Sequence, residues 1–357
     1  MKDTPFIIPL FIPHVGCPFQ CAFCNQKALT SVIRPDISLS QLKREIDLFL
    51  TYKKKPAYTE IAFFGGTFLG LEKEVILELL ELAQSYINNG IVDSIRFSTR
   101  PDTITVENIN LIKNYSVKTI EVGVQSMDAL VLKESRRGHT EEDVIKAVNI
   151  LKKNQYITGM QLMVGLPYDN EKKSITTALK TVELKPDIVR IYPALVLKNS
   201  PMEEWYLNRT YTPLSLEDSV NIVKKTYTLF LANNIKVIRV GIQASKDLEE
   251  GTEIVAGPYH PSFGHMVSSS IFLDMAINIL SKCKLHNEID IHVNPSSISE
   301  MRGLKNCNII TLKKKYSLST VKVIADNSID KDSLSINNNK IFKKNLLNNY
   351  VKNEIQA

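Results

Sequence analysis

The sequence is short of nearly everything that marks an unusual chain. Its 357 residues contain one Trp, 14 Gly and 15 Pro, far too few for a collagen-like or low-complexity polymer. No apolar run approaches the roughly 20 residues that cross a bilayer. The apolar start, Phe6 to Val15, is broken by Pro9 and Pro13, and no cleavage pattern follows it. It reads as a buried strand rather than a signal peptide, so a cytoplasmic location with no membrane partner is expected. Charge of neither sign dominates. Lys and Arg number 44 against 38 Asp and Glu, a net of +6, which permits an anionic partner without requiring one. Cysteine is scarce too: five in a chain this long, an odd number, make no disulfide framework. What remains is 44% hydrophobic and 23% charged, a composition that excludes disorder. No internal repeat is visible. At about 150 residues per domain the length predicts two domains.

Apolar, β-rich runs recur at Phe6–Ile12, Thr59–Phe64, Ser94–Ser98, Thr119–Val124, Met160–Val164 and Asp187–Tyr192. Segments of helical period lie between them. Ser38, with Gln41 three residues on, opens one as a capping box, and Leu39, Leu42, Ile46, Phe49 and Leu50 share its face. Val75, Leu79, Leu82 and Tyr86 make the next stripe, closed by Gly90. Thr140 and Asp143 start a third, carrying Val144, Val148 and Leu151. Such alternation predicts an α/β fold of βαβ units and a parallel sheet, whose chemistry gathers at the C-terminal ends of the strands. The expected architecture is a partial, open, TIM-like barrel of six βα units over residues 1–200. A smaller α+β region over 201–357 would follow, with a helix from Ser215, a strand at Lys236–Val240 and alternating stretches such as Thr320–Ile324.

Three of the five cysteines fall within eight residues directly after the first strand. Cys17, Cys21 and Cys24, in Gly16-Cys17-Pro18-Phe19-Gln20-Cys21-Ala22-Phe23-Cys24-Asn25, form Cys-x3-Cys-x2-Cys. Thiolates select zinc, copper or iron–sulfur clusters. A structural zinc site closes with four protein ligands, and no second Cys pair is present. Three thiolates on one tight loop suit three irons of a 4Fe–4S cube and leave the fourth open to a ligand. The blander reading is a buried, reduced triplet of thiols or a zinc site completed by a distant His.

This arrangement resembles the radical S-adenosylmethionine (radical SAM) superfamily. The phrases Phe64-Gly65-Gly66-Thr67-Phe68, Gly123-Val124-Gln125-Ser126-Met127-Asp128, Arg137-Gly138-His139-Thr140 and Ile191-Tyr192-Pro193-Ala194-Leu195-Val196 are similar to one branch. That branch holds the catalytic subunit of Elongator and relatives of oxygen-independent coproporphyrinogen oxidase. The likeness runs from about residue 5 to about residue 245, through Arg239-Val240-Gly241-Ile242-Gln243. It implies one 4Fe–4S cluster on Cys17, Cys21 and Cys24, whose open iron chelates S-adenosylmethionine. One electron from a donor such as flavodoxin or ferredoxin then gives a 5′-deoxyadenosyl radical that abstracts hydrogen from a substrate, in an oxygen-sensitive reaction. It places Phe23 near the adenine, Gly65, Gly66 and Thr67 at the methionine amino group, with Ser98 beside them as contact or plain strand-end cap. Gln125 and Gln161 would serve the ribose, and Arg137 the carboxylate.

The branch includes tRNA modifiers, so a tRNA base is the expected substrate. A small metabolite, or a non-catalytic cluster or tetrapyrrole carrier, is the alternative. The chain ends about 110 residues after Gln243, too few for the Elongator subunit's acetyltransferase domain. Three further sets of residues have bland counterparts. Cys283, His286, His292 and Cys307 could share a metal or be ordinary thiols and imidazoles. His260, His265 and Tyr192 could contact substrate or simply pack. Lys313, Lys314, Lys315, Lys340, Lys343 and Lys344 could meet phosphates or water.

Overall fold

In the computed structural model, residues 5–12, 17–25, 38–52, 58–242, 253–283 and 287–351 are described; Gly16, Gln243 and His286 lie outside them. The described chain opens with β1 (Phe6–Ile12), α1 (Leu39–Thr51), β2 (Thr59–Gly65), α2 (Lys73–Asn88), β3 (Ser94–Thr99), α3 (Val106–Ile112) and β4 (Val117–Gln125). It continues through α4 (Ala129–Glu134), α5 (Glu141–Lys153), β5 (Ile157–Val164), α6 (Glu171–Glu183), β6 (Ile188–Pro193), β7 (Val196–Leu197), α7 (Pro201–Leu207), α8 (Leu216–Ala232) and β8 (Lys236–Val240). Seven strands pair in the order β1-β2-β3-β4-β5-β6-β8, each junction parallel. The result is a curled, open half-barrel flanked by helices. Six barrel units were expected and seven strands are present: Lys236–Val240, assigned by sequence to the second region, pairs with β6 as the last strand. Helix α8 makes the crossover, as a parallel connection requires.

Local signals explain most boundaries. Ser38 caps α1 by accepting from the Gln41 amide, although the Gln41 side chain turns to Glu45 instead of closing a box. Thr140 and Asp143 do form a reciprocal box at the start of α5, and Ser215 caps α8. On α2 the buried stripe is Ile76, Leu79, Leu80, Ala83 and Tyr86, one step round from the sequence stripe. Val75 and Leu82 sit at its margins, half-buried, because a helix pressed on a sheet buries a band wider than a single i, i+4 row.

After β8 come β9 (Ile254–Ala256), α9 (Phe263–Leu280), β10 (Glu288–Val293), α10 (Ile298–Arg302), α11 (Cys307–Tyr316), β11 (Thr320–Ala325), β12 (Ser333–Ile336), β13 (Asn339–Phe342) and α12 (Leu347–Val351). A second, mixed sheet runs β11-β10-β12-β13, and β7 pairs with β9 in a short antiparallel ribbon. Helix α9 is long and apolar enough, by length and composition, to cross a membrane. Half of it is buried inside the fold. Ile271, Phe272, Met275 and Ala276 are fully enclosed, and Asp274 binds Lys224 and the Tyr350 hydroxyl. These are the marks of a core helix.

Candidate active site

The barrel's C-terminal strand ends converge on a cavity of about 400 Å³. Phe11 comes from β1, Phe64 and Gly65 from β2, Ser98 and Thr99 from β3, Gly123 and Gln125 from β4. Gln161 and Met163 come from β5, Arg190 and Tyr192 from β6, and Arg239 from β8. Every candidate residue drawn from the sequence for cluster or cosubstrate (Cys17, Cys21, Phe23, Cys24, Gly65, Gly66, Thr67, Ser98, Gln125, Arg137 and Gln161) lines this one space.

The cysteine loop is fastened from outside. Ala22 donates its amide to the Ser135 carbonyl at the end of α4 (3.0 Å), and Met202 of α7 donates to the Ala22 carbonyl (3.0 Å). Cys24 N–H turns back on the Cys21 carbonyl (3.1 Å). Cys17 Sγ lies 2.9 Å from Thr67 Oγ1, and Cys21 Sγ accepts from Arg137 Nη1 (3.0 Å). Burial, followed by the nearby Cys21 and Cys17 groups, pushes the Cys24 thiol up to about 12, with Arg137 opposing. Left alone, such a thiol keeps its proton, so a metal must displace it.

The donor set was tested against a metal centre. Among the described residues, no three His, Cys, Asp or Glu side chains converge on one ion, which disfavours mononuclear zinc. Three thiols lining one wall, with no fourth protein donor among the described residues, match a cube held at three corners. The cavity also holds unmet donors. Among the described residues, Arg137 Nε and Arg100 Nη1 are buried without a hydrogen-bond partner, a state that costs free energy unless an acceptor arrives. The residues therefore fit a cluster together with a cosubstrate that carries a carboxylate.

Backbone shape matters at two turns. Gly65 has φ +102°, and a Cβ there would stand 2.5 Å from the Ile12 carbonyl oxygen, so β1 and β2 approach closely only because this residue is Gly. Gln125 sits at φ 66° beside a register shift between Gly123 and Gln125. That bulge turns its side chain towards the Arg137 guanidinium, the two lying 3.2 and 3.4 Å from where a Gly123 Cβ would be.

Two expected ligand contacts are already engaged within the protein. Gln161 donates to Glu121 (2.9 Å) and Ser98 (3.1 Å), so its amide protons are committed and its carbonyl oxygen is what a ribose would meet. Arg137 spans Cys21 and the Gly123 carbonyl (2.5 Å), with the Phe23 ring 5.9 Å away. Of the remaining candidates, Tyr192 lines the cavity and His260 and His265 do not. His260 instead accepts from the Ser262 amide. Cys283 and Cys307 are free thiols, and among the described residues they join no metal-binding group with His292. The basic run divides: Lys313, Lys314 and Lys315 are exposed on α11, whereas Lys340 and Lys343 are paired with Asp330 and Asp332.

Sequence reasoning missed a buried ionic network beneath the site. Arg96 binds Glu60 and Glu121 (Nη1 to Glu121 2.9 Å), and Arg190 binds Glu121 (Nη2 2.8 Å) while lying over the Phe64 ring. A signal was available. Glu60, Arg96 and Arg190 are each the one charged residue of their strand, and Glu121 and Arg239 share theirs only with Lys118 and Lys236; such residues stay buried only when paired or functional.

His139, on the loop behind Arg137, is buried and held near pKa 3, first by burial and then by the Arg137 and Arg100 charges. Its Nε2 meets the Val124 carbonyl at 3.2 Å. The unfolded chain takes up this proton near 6.5 and the folded one only near 3, so stability is present above 6.5 and falls as pH drops between the two. At pH 5 the loss from this residue is about 2 kcal/mol. Urea denaturation at pH 7.5 and 5 checks it: His139→Gln should lose less stability than wild type over that interval by about this amount. Equal losses in the two proteins would refute the assignment.

A family model described as the radical SAM superfamily matches residues 11–179, and one described as the Radical_SAM C-terminal domain matches 186–272. An uncharacterised protein of Methanocaldococcus jannaschii is 28% identical over 232 residues, 62% of this chain and 71% of that protein. The tRNA uridine(34) acetyltransferase of the same organism is 33% identical over 128 residues, 35% of this chain. The match spans 24% of that relative's length. Among solved structures, the archaeal Methanocaldococcus infernus Elp3 with an N-terminal deletion superposes with a TM-score of 0.60 at 20% identity. It covers 75% of this chain and 63% of its own, and the likeness is one of fold.

Proposed function

The chain belongs to the radical SAM superfamily, and from that premise we propose that the barrel is the active site of an enzyme that generates a 5′-deoxyadenosyl radical. When bound, a 4Fe–4S cluster and S-adenosylmethionine supply one-electron cleavage of the sulfonium and removal of a hydrogen atom from the substrate. The chain's own residues hold, orient and shield. Cys17, Cys21 and Cys24 would hold the cluster. Gly65, Gly66 and Thr67 would receive the methionine amino group, and Arg137, through its open Nε, the carboxylate. Phe23, Ser98, Gln125 and Gln161 would flank the nucleoside. Phe11, Phe64, Met163, Leu195 and Leu197 exclude water from the reacting centre. The observation that carries the reading is that three thiols line one strand-end cavity together with Arg137 and Arg100, each of which has a guanidinium nitrogen without a partner among the described residues.

The proposed substrate is a base in tRNA, supported by the relative that acts on tRNA uridine and by the exposed Lys313, Lys314 and Lys315 on α11. A cytoplasmic location and an electron donor of the flavodoxin or ferredoxin class accompany it. Anaerobically reconstituted protein, given dithionite and S-adenosylmethionine, should release 5′-deoxyadenosine. Its affinity for tRNA should fall with salt, with a logarithmic slope of about −2 or steeper, as expected when several lysines neutralise phosphates. No deoxyadenosine from a fully loaded cluster would overturn the enzyme reading in favour of a carrier. A flat salt profile would replace tRNA by a small metabolite.

A further inference from the structure

Five charged side chains stand on five of the seven barrel strands: Glu60 on β2, Arg96 on β3, Glu121 on β4, Arg190 on β6 and Arg239 on β8. Two carboxylates face three guanidinium groups. Arg96 takes Glu60 and one oxygen of Glu121, and Arg190 takes what is left of Glu121. The Arg239 side chain has no hydrogen bond or ion pair with any described residue, yet Arg239 is half-buried and lines the same cavity as the cysteines.

Its neighbour deepens the imbalance. Arg239 is the register partner of Arg190 across the β6–β8 junction, so both side chains rise on the same face of the sheet. Like charges directly opposed across strands are destabilising, and the cost grows as water is excluded. Among the described residues, this permanently charged, fork-shaped donor leaves the barrel's inner face one anion short. The surroundings describe the rest of the missing ligand: Leu195, Leu197 and Ile242, which line the same cavity as Arg239, are apolar, and Tyr192 contributes one hydroxyl.

We propose that Arg239 is a specificity-determining residue whose guanidinium binds a carboxylate or phosphate group of the substrate at the β6–β8 side of the barrel. The apolar part of the substrate then rests against Leu195, Leu197 and Ile242. The inference rests on the proposed function only in calling this ligand the substrate; the anion subsite stands on charge balance alone. A guanidinium offers two parallel N–H donors to either oxyanion, so the two sources share one recognition chemistry.

The test uses full-length reconstituted protein with saturating S-adenosylmethionine and no reductant, so the cosubstrate carboxylate is already accommodated. Succinate and uridine 5′-monophosphate are titrated separately by calorimetry, at ionic strength matched with sodium chloride. Wild type should bind at least one probe saturably. Arg239→Gln should weaken that binding tenfold or more, and Arg239→Lys, which keeps the charge and loses the fork, should lie between them. Lys236→Gln, an exposed change on the same strand, should match wild type. Tighter succinate binding assigns the anion to a carboxylate, tighter nucleotide binding to a phosphate. If neither probe binds saturably, or if Arg239→Gln binds as wild type does, the proposal fails. Because no reduction is involved, that failure is separate from a failure to release deoxyadenosine.

Discussion

Cys21→Ala is expected to abolish cluster binding and deoxyadenosine release while leaving the fold intact. Reconstituted wild-type protein should carry about four irons and four sulfides per chain, as a cube requires. The variant should retain only non-specific iron, lose the broad visible absorption of the cluster, and fall at least a hundredfold in deoxyadenosine release. Stability should change far less. Cys21 is nearly enclosed, but removing one sulfur atom costs on the order of 1 kcal/mol, and the loop remains held by the Ala22–Ser135 and Met202–Ala22 hydrogen bonds. Far-ultraviolet circular dichroism and the urea midpoint would establish that the loss is local. Cys283→Ala, in a half-buried residue remote from the cavity lining, is the control and should behave as wild type. A Cys21→Ala protein that still binds a full cluster would overturn the ligand assignment.

Much of this was legible in the sequence because the signals are local. Phe6–Ile12 and Lys236–Val240 form strands with the bounds their β-rich runs gave, since β-branched and aromatic residues suit the pleated, half-buried surface of a sheet. Ser38, Thr140 and Ser215 cap the helices they precede, because a cap needs only the next three residues. The Cys triplet and the Gly65-Gly66-Thr67 turn lie at strand ends and share one cavity for the same reason.

What sequence reading missed depends on residues far apart in the chain. That Lys236–Val240 joins β6 is a choice of partner made after a whole helix has intervened, and no local pattern encodes it. Gln161 was read as a free amide, yet it bonds Glu121 forty residues away. Arg137 was read for a ligand carboxylate, yet it also grips the Cys21 sulfur across 116 residues. The lysines of the C-terminal region looked alike in sequence. Pairing within the β12–β13 hairpin removes Lys340 and Lys343 from the basic surface, while helix geometry leaves Lys313, Lys314 and Lys315 outward.

The ionic network gives the second large effect, at a residue expected to touch neither cofactor. Glu121 is almost fully enclosed and accepts from Arg96, Arg190 and Gln161 at once. Glu121→Gln keeps the shape and removes the charge. Arg96 retains Glu60, but Arg190 is left without a carboxylate beside Arg239, which has no ion-pair partner among the described residues. Breaking a buried pair from one side costs about 3–5 kcal/mol, because the surviving charge stays desolvated, and at about 2–4 °C per kcal/mol the melting temperature should fall by roughly 10 °C. Adding Arg190→Met to Glu121→Gln should recover part of that loss, since it deletes the orphaned charge and leaves an apolar chain against Phe64. The site should register the change as well: once Glu121 no longer fixes Gln161, S-adenosylmethionine should bind more weakly to Glu121→Gln than to wild type, and the double variant, which still lacks the carboxylate, should regain stability without regaining that affinity. Denaturation of the four proteins in a double-mutant cycle, with calorimetric cosubstrate binding alongside, separates the two roles. A Glu121→Gln protein within about 1 kcal/mol of wild type would mean that water, rather than this carboxylate, balances the guanidinium groups on the barrel's inner face.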